Sequence, residues 1–181
     1  MYEKSIKLKK EIEKEYKHYH LDTLSENIKV YFDNELISRQ IDLMIDEVYT
    51  SPSNAIGKAK NLVESCFKYI LNETGIEYSS SDNFMDLRKK AAKQINLDSK
   101  ENISAKSDRK TKLILNSLTQ IISGLNELRN NFGDGHGADD AFIELPPRYA
   151  KLAVSSAISL VNFYWETYEY SKNKTEKNNK Q

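Results

Sequence analysis

The sequence predicts an all-α fold: a bundle of four amphipathic core helices with one or two further helices before them. Three observations predict it. Apolar residues recur at helical spacing in five separate segments. Turn formers are scarce, with 6 Gly and 3 Pro in 181 residues, and a many-stranded sheet needs frequent turns. Hydrophobic residues make up 39% and charged residues 30% of the chain, which suits a buried core under a well-solvated surface.

Taken in order, residues 1–34 form an N-terminal helical arm. Between Tyr2 and Tyr19 it is dense in Lys and Glu, and Ile6, Ile12, Tyr16 and Tyr19 give it a thin apolar stripe. That pattern suits a helix solvated on most sides that packs on a neighbour or a second subunit. His18 and His20 are two residues apart, so on a helix they point in different directions and form a solvated pair rather than a metal site.

The bundle is placed at residues 35–171. Ile37, Ile41, Met44, Ile45 and Val48 predict its first helix. Ser51 is placed to cap the next, and Pro52 suits a first helical turn. That helix carries Ala55, Ala59, Leu62, Cys66, Tyr69 and Ile70 on one stripe, widened by Ile56, Val63 and Phe67, so it is expected at the centre, with Gly75 ending it. Asp82 is the expected cap of a shorter helix with Phe84, Leu87, Ala91 and Ile95 inward. Residues 98–109 are polar and predict a mobile loop. From about Asp108 a long helix carries Ile114, Leu118, Ile121, Leu125 and Leu128, widened by Leu115 and Ile122. Pro146 and Pro147 open the last helix, whose stripe is Ala153, Ala157, Leu160, Val161, Tyr164 and Tyr168. Residues 172–181 are Lys, Thr, Glu, Asn and Gln and predict a disordered charged tail.

Lys plus Arg is 27 and Asp plus Glu is 27, a formal net charge of zero. That argues against a general nucleic-acid coat protein, though not against a local basic cleft. The single Cys66 excludes an intrachain disulfide and belongs to an apolar helical stretch. The charged N-terminus lacks a signal-peptide hydrophobic region, and no apolar run reaches the ~18 residues of a membrane span. These features predict a cytosolic location and no membrane partner.

Between the last two helices lies the one concentrated chemical feature, Arg129-Asn130-Asn131-Phe132-Gly133-Asp134-Gly135-His136-Gly137. Imidazole both takes and gives a proton near neutrality. Guanidinium carries a permanent charge on a planar fork matched to phosphate oxygens. RNA brings its own nucleophile, the 2′-hydroxyl, so one base and one phosphate clamp suffice to cleave it without a metal. Asn130 suits holding a phosphate oxygen or fixing the imidazole tautomer. Asp134 suits orienting His136 or capping a turn. Gly133 and Gly135 let the backbone turn and let a substrate approach. The same residues equally fit an ordinary helix ending: a cation near the C-terminus, then Gly, Asp and Asn as stop signals.

Three stretches resemble a known family: Ala55-Ile56-Gly57-Lys58-Ala59-Lys60-Asn61-Leu62-Val63-Glu64-Ser65, then Leu128 to Gly137, then Ala150-Lys151-Leu152-Ala153-Val154. Together they resemble the abortive-infection C-terminal domain of the HEPN superfamily, over roughly residues 35 to 170. The specific part is Arg, a polar residue, a spacer and His between two long helices; six residues separate Arg129 from His136. The resemblance implies a HEPN-like helical bundle that pairs as a homodimer, with the two Arg–His segments facing each other in one cleft. It implies a metal-independent RNA endonuclease of a toxin or phage-defence system, with Arg129 and His136 as the catalytic pair, Asn130 in support and no cofactor. A neighbouring antitoxin or defence protein is the implied partner. Some toxin members carry a Tyr two residues after the His, used for inhibition by modification. Here Ala138 stands there, so that control is not expected.

Two other readings remain open at this point. One is a non-catalytic module that dimerises or binds a ligand or partner at the same cleft. The other is a metal site from Asp134, His136, Asp139, Asp140 and Glu144, which lacks a recognised ligand spacing. Arg148 and Lys151, just after the segment, are the nearer candidates for RNA phosphate contacts. Lys106, Arg109, Lys110 and Lys112 lie at the far end of a helix some ~30 Å long and suit a solvated helix start. Lys89, Lys90 and Lys93 suit a solvated face. Trp165, Tyr164, Tyr168 and Tyr170 could stack bases, or form core or dimer interface.

Overall fold

A computed structural model describes residues 25–32, 35–97, 104–132 and 145–178, and every regular element among them is an α-helix. Residues 25–32 form α1. The other helices are α2 (Glu35–Thr50), α3 (Pro52–Glu73), α4 (Phe84–Gln94), α5 (Ser104–Phe132) and α6 (Pro147–Asn178). No helix of the described residues is long and apolar enough to cross a membrane.

α3 is the centre, as its wide apolar stripe predicts. It packs against α2, α4, α5 and α6, and most extensively against α6. Ala55, Ile56, Ala59, Val63, Cys66, Phe67, Ile70 and Leu71 are wholly buried along it. Burying apolar surface at about 25 cal/mol per Å² is what holds such a helix in place.

Side-chain contacts give the directions. Phe67 meets Tyr164 at 5.0 Å between ring centroids, and Tyr69 meets Trp165 at 4.9 Å. Further on, the Tyr168 hydroxyl donates to Glu73 at 3.4 Å. The numbers rise together, so α3 and α6 run parallel. Their shared face changes along its length. Ala55 and Ala59 of α3, with Ala150, Ala153 and Ala157 of α6, are buried toward the N-terminal ends, whereas aromatic rings fill the C-terminal ends. Small side chains let two helices approach closely, because interaxial distance follows the residues at the contact. α2 runs antiparallel to α3: only Ser51 separates them, and Lys58 of α3 pairs with Glu47 of α2 at 2.6 Å.

α1 joins the same core. Ile28 and Phe32 are buried, Tyr31 stacks on Trp165 at 5.3 Å, and Lys29 bridges to Asp42 of α2 at 2.6 Å. The C-terminal part of the predicted arm is therefore packed on the bundle. Tyr2 to Tyr19, with His18 and His20, lies outside the described residues.

Five sequence expectations are corrected. Asp82 is not the cap of α4; Asn83 is, its side chain accepting from Met85 and Asp86 while Asp86 reaches back to the Asn83 N–H. Ser51 sits at the start of α3 but makes no side-chain cap bond, leaving Pro52 at the first position as the start signal. α5 begins at Ser104, inside the expected loop. Its inward face is also turned by about one position: Leu115, Thr119, Ile122 and Leu125 are buried, while Ile114 is 61% exposed. Thr119 tolerates this burial because its hydroxyl donates to the Leu115 carbonyl at 2.8 Å. Finally, α6 continues to Asn178, past the expected start of a disordered tail at 172. Lys and Glu are good helix formers, and neither Gly nor Pro interrupts this stretch, so lack of apolar residues there means lack of packing and not lack of helix.

Candidate functional site

Each predicted site residue lies in or beside the connection between α5 and α6. Arg129 and Asn130 occupy the last turn of α5, since the helix runs to Phe132. A cation there favours the negative end of the helix dipole. Their side chains lie outside the described residues. So do Gly133, Asp134, Gly135 and His136, and with them Asp139, Asp140 and Glu144 of the alternative metal set. Among the described residues no group of His, Cys, Asp and Glu could hold a metal ion.

The connection returns at Leu145, which is buried, and Pro147 then starts α6. Proline suits that first position because its missing N–H would have had no helical partner. The first turns of α6 present Arg148 and Lys151, both exposed. The Arg148 guanidinium carbon lies 5.0 Å from the Tyr149 ring centroid. The Lys151 ammonium lies 5.0 Å from the Tyr49 ring centroid, at the end of α2. At an exposed site such a cation–π contact contributes about 0.5–1 kcal/mol.

That contact fixes which end of the bundle bears the start of α6. Tyr49 sits just before the α2–α3 turn, so the start of α6 and that turn share one end. Glu47, one turn earlier on α2 than Ser51, is paired with Lys58, which removes one acidic group as a competitor for phosphate. Tyr49 was not singled out by sequence. It falls just off the Met44, Ile45, Val48 stripe, which was the available signal: an aromatic ring at a helix end that the core does not claim.

Three of the remaining aromatic candidates are structural. Trp165 and Tyr168 are buried, and Tyr164 is wholly so. Trp165 is surrounded by Tyr31, Phe32, Tyr69 and Tyr168. Burial first, and then the Glu73 carboxylate, pushes the Tyr168 hydroxyl up to about 12, so it stays neutral at physiological pH. Tyr170 is 68% exposed. Lys90 pairs with Asp82 while its side chain stays 37% exposed, and Lys89 and Lys93 are exposed beside it. Arg109 and Lys110 are exposed as expected for a helix start, and the side chains of Lys106 and Lys112 lie outside the described residues. An open groove of about 610 Å³ lined by Asn72, Gly75, Ile76, Glu77 and Tyr78 lies past the C-terminal end of α3, at the opposite end from Tyr49.

The parallel pair α3 and α6, packed with α2, α4 and α5, and a glycine-rich Arg–His sequence that joins α5 to α6 define the class: a small helical-bundle domain with its polar motif between the last two helices. The chain matches the Abi_C family, a HEPN-like domain, over residues 35–168. That is well over half of its length, and the chain belongs to this family. No curated protein and no solved structure matches it.

Proposed function

We propose that this protein is a metal-independent RNA endonuclease acting in a toxin or phage-defence system. The observation that carries the reading is that the family match spans the whole Arg129–His136 segment, with both chemistry-bearing residues present. His136 takes the proton of a ribose 2′-hydroxyl, whose oxygen attacks the adjacent phosphorus. The P–O5′ bond breaks, and a protonated imidazole supplies the proton that the leaving 5′-oxygen needs. Arg129 neutralises charge on the non-bridging oxygens, and Asn130 supports it. One imidazole serves as acceptor, and a second, from a homodimeric partner, serves as donor.

The test is a purified-protein RNA digest comparing the wild type with His136→Ala and Arg129→Ala. Loss of acid–base catalysis costs about 10²–10⁴-fold in rate, so His136→Ala is expected to leave RNA essentially intact. A chelator leaves the wild-type rate unchanged. Identical RNA patterns from the wild type and His136→Ala would remove the nuclease reading and leave a non-catalytic binding or dimerisation module. Loss of cleavage on chelation would favour the metal set instead. Whether an antitoxin encoded nearby restrains the enzyme is tested by co-purification.

A further inference from the structure

Tyr49 and Lys151 form a surface that neither helix makes alone. Tyr49 keeps 39% of its surface exposed at the end of α2. Lys151, from the second turn of α6, holds its ammonium 5.0 Å from that ring. Arg148, three residues earlier and so on a neighbouring strip of the same helix, adds a second exposed cation. Glu47 is already paired with Lys58 at 2.6 Å, so its carboxylate does not compete for Lys151 or Arg148.

We infer that Tyr49 and Lys151 form a subsite for one unpaired nucleotide of an RNA strand, with Arg148 meeting the neighbouring phosphate. This rests on the nuclease reading and sharpens it, because the substrate then has to be single-stranded where it is bound. Every base has a π face, and stacking on an aromatic ring is a stronger interaction than an exposed cation–π contact. An arriving base therefore displaces the ammonium from the ring. The lysine stem is flexible, and the displaced charge turns to the phosphate of the same nucleotide. In the absence of RNA, Lys151 keeps the ring covered and restricts its rotamers. A duplex keeps its bases inside the stack and offers this ring no face. The subsite lies at the start of α6, which follows the Arg–His segment in the chain through Leu145 and Pro147.

The test uses the full chain in the His136→Ala background, so that RNA is bound and not consumed. A short fluorescent polyuridylate strand and an RNA duplex of equal length are titrated by anisotropy at several salt concentrations. The single strand is expected to bind more tightly than the duplex. Tyr49→Ala and Tyr49→Leu each weaken single-strand binding by about tenfold, whereas Tyr49→Phe retains it. Lys151→Gln lowers the slope of log affinity against log salt by about 0.7, the loss of one phosphate contact on a single strand. Thermal melting of each variant, followed by Trp165 fluorescence, confirms folding; Tyr49→Leu carries the result if Tyr49→Ala melts early. Equal binding by Tyr49→Leu and Tyr49→Phe overturns the subsite, as does equal affinity for strand and duplex or no binding of either. The nuclease reading fails separately: wild-type protein that binds the strand through Tyr49 but leaves RNA intact keeps the subsite and loses the catalysis.

Discussion

A single side-chain amide starts α4. The Asn83 Oδ1 accepts from the Met85 N–H at 2.9 Å, a donor with no helical partner, and from the Asp86 N–H at 3.0 Å, which it shares with the Asn83 carbonyl. Its own N–H donates to Asp86 at 3.3 Å, closing a capping box. Asp82, next door, does different work: it accepts from the Ser79 N–H and from Lys90. The hydrogen bond from Lys90, then that from Ser79, holds its carboxyl below the usual carboxylate range. A depressed folded pKa stabilises above the unfolded value and is lost as pH falls through the folded one. Asn83→Ala is expected to cost about 1 kcal/mol, seen as a lower urea midpoint with unchanged slope. A loss of the same size from Asp82→Ala at neutral pH, with none from Asn83→Ala, would return the cap to Asp82. Sequence could locate this helix start within one residue. It could not choose between two adjacent good cappers, because the choice depends on which of them holds extended backbone, and Asn83 does, at φ −78 and ψ 171.

At the scale of elements, α1 is held by rings. Tyr31 lies flat on Trp165 with only 10° between planes, and Phe32 meets Tyr69 edge-on and Trp165 obliquely. Such pairs add to the area they bury. Phe32→Ala is expected to cost about 3–5 kcal/mol, as for other buried Phe truncations. Trp165 is the single tryptophan of the chain, so its emission reports the outcome directly: a red shift and an earlier urea midpoint. An unchanged spectrum would mean that α1 does not cover it. The helices themselves were legible because their apolar spacing is set by burial. The rotation of α5 was not. Ile114 and Leu115 are equally apolar, and only the placement of α3 and α6 decides which one turns inward. Leu115 does, at 4% exposure.

For the molecule as a whole, cooperativity rests on α3. Cys66 lies at its middle, wholly buried, and burial pushes its thiol well above the ordinary range. The thiolate is the reactive species. A soluble thiol reagent at neutral pH is therefore expected to modify the folded protein only as fast as it unfolds, and at once in denaturing urea. Rapid labelling without denaturant would contradict a tightly packed α3. The candidate site was legible in a different way from the core. Arg129, Asn130 and His136 stood out because their chemistry is dense against a bland background, and the family match covers them. Tyr49 did not stand out, because its role comes from a helix a hundred residues later in the chain that brings Lys151 over it.

The family match begins at residue 35, yet α1 ends just before it and covers Trp165. A fragment trimmed to the family's own borders would uncap a cluster of rings and turn a folded domain into a sticky one. The stretch shared with the family is thus smaller than the unit that water will tolerate.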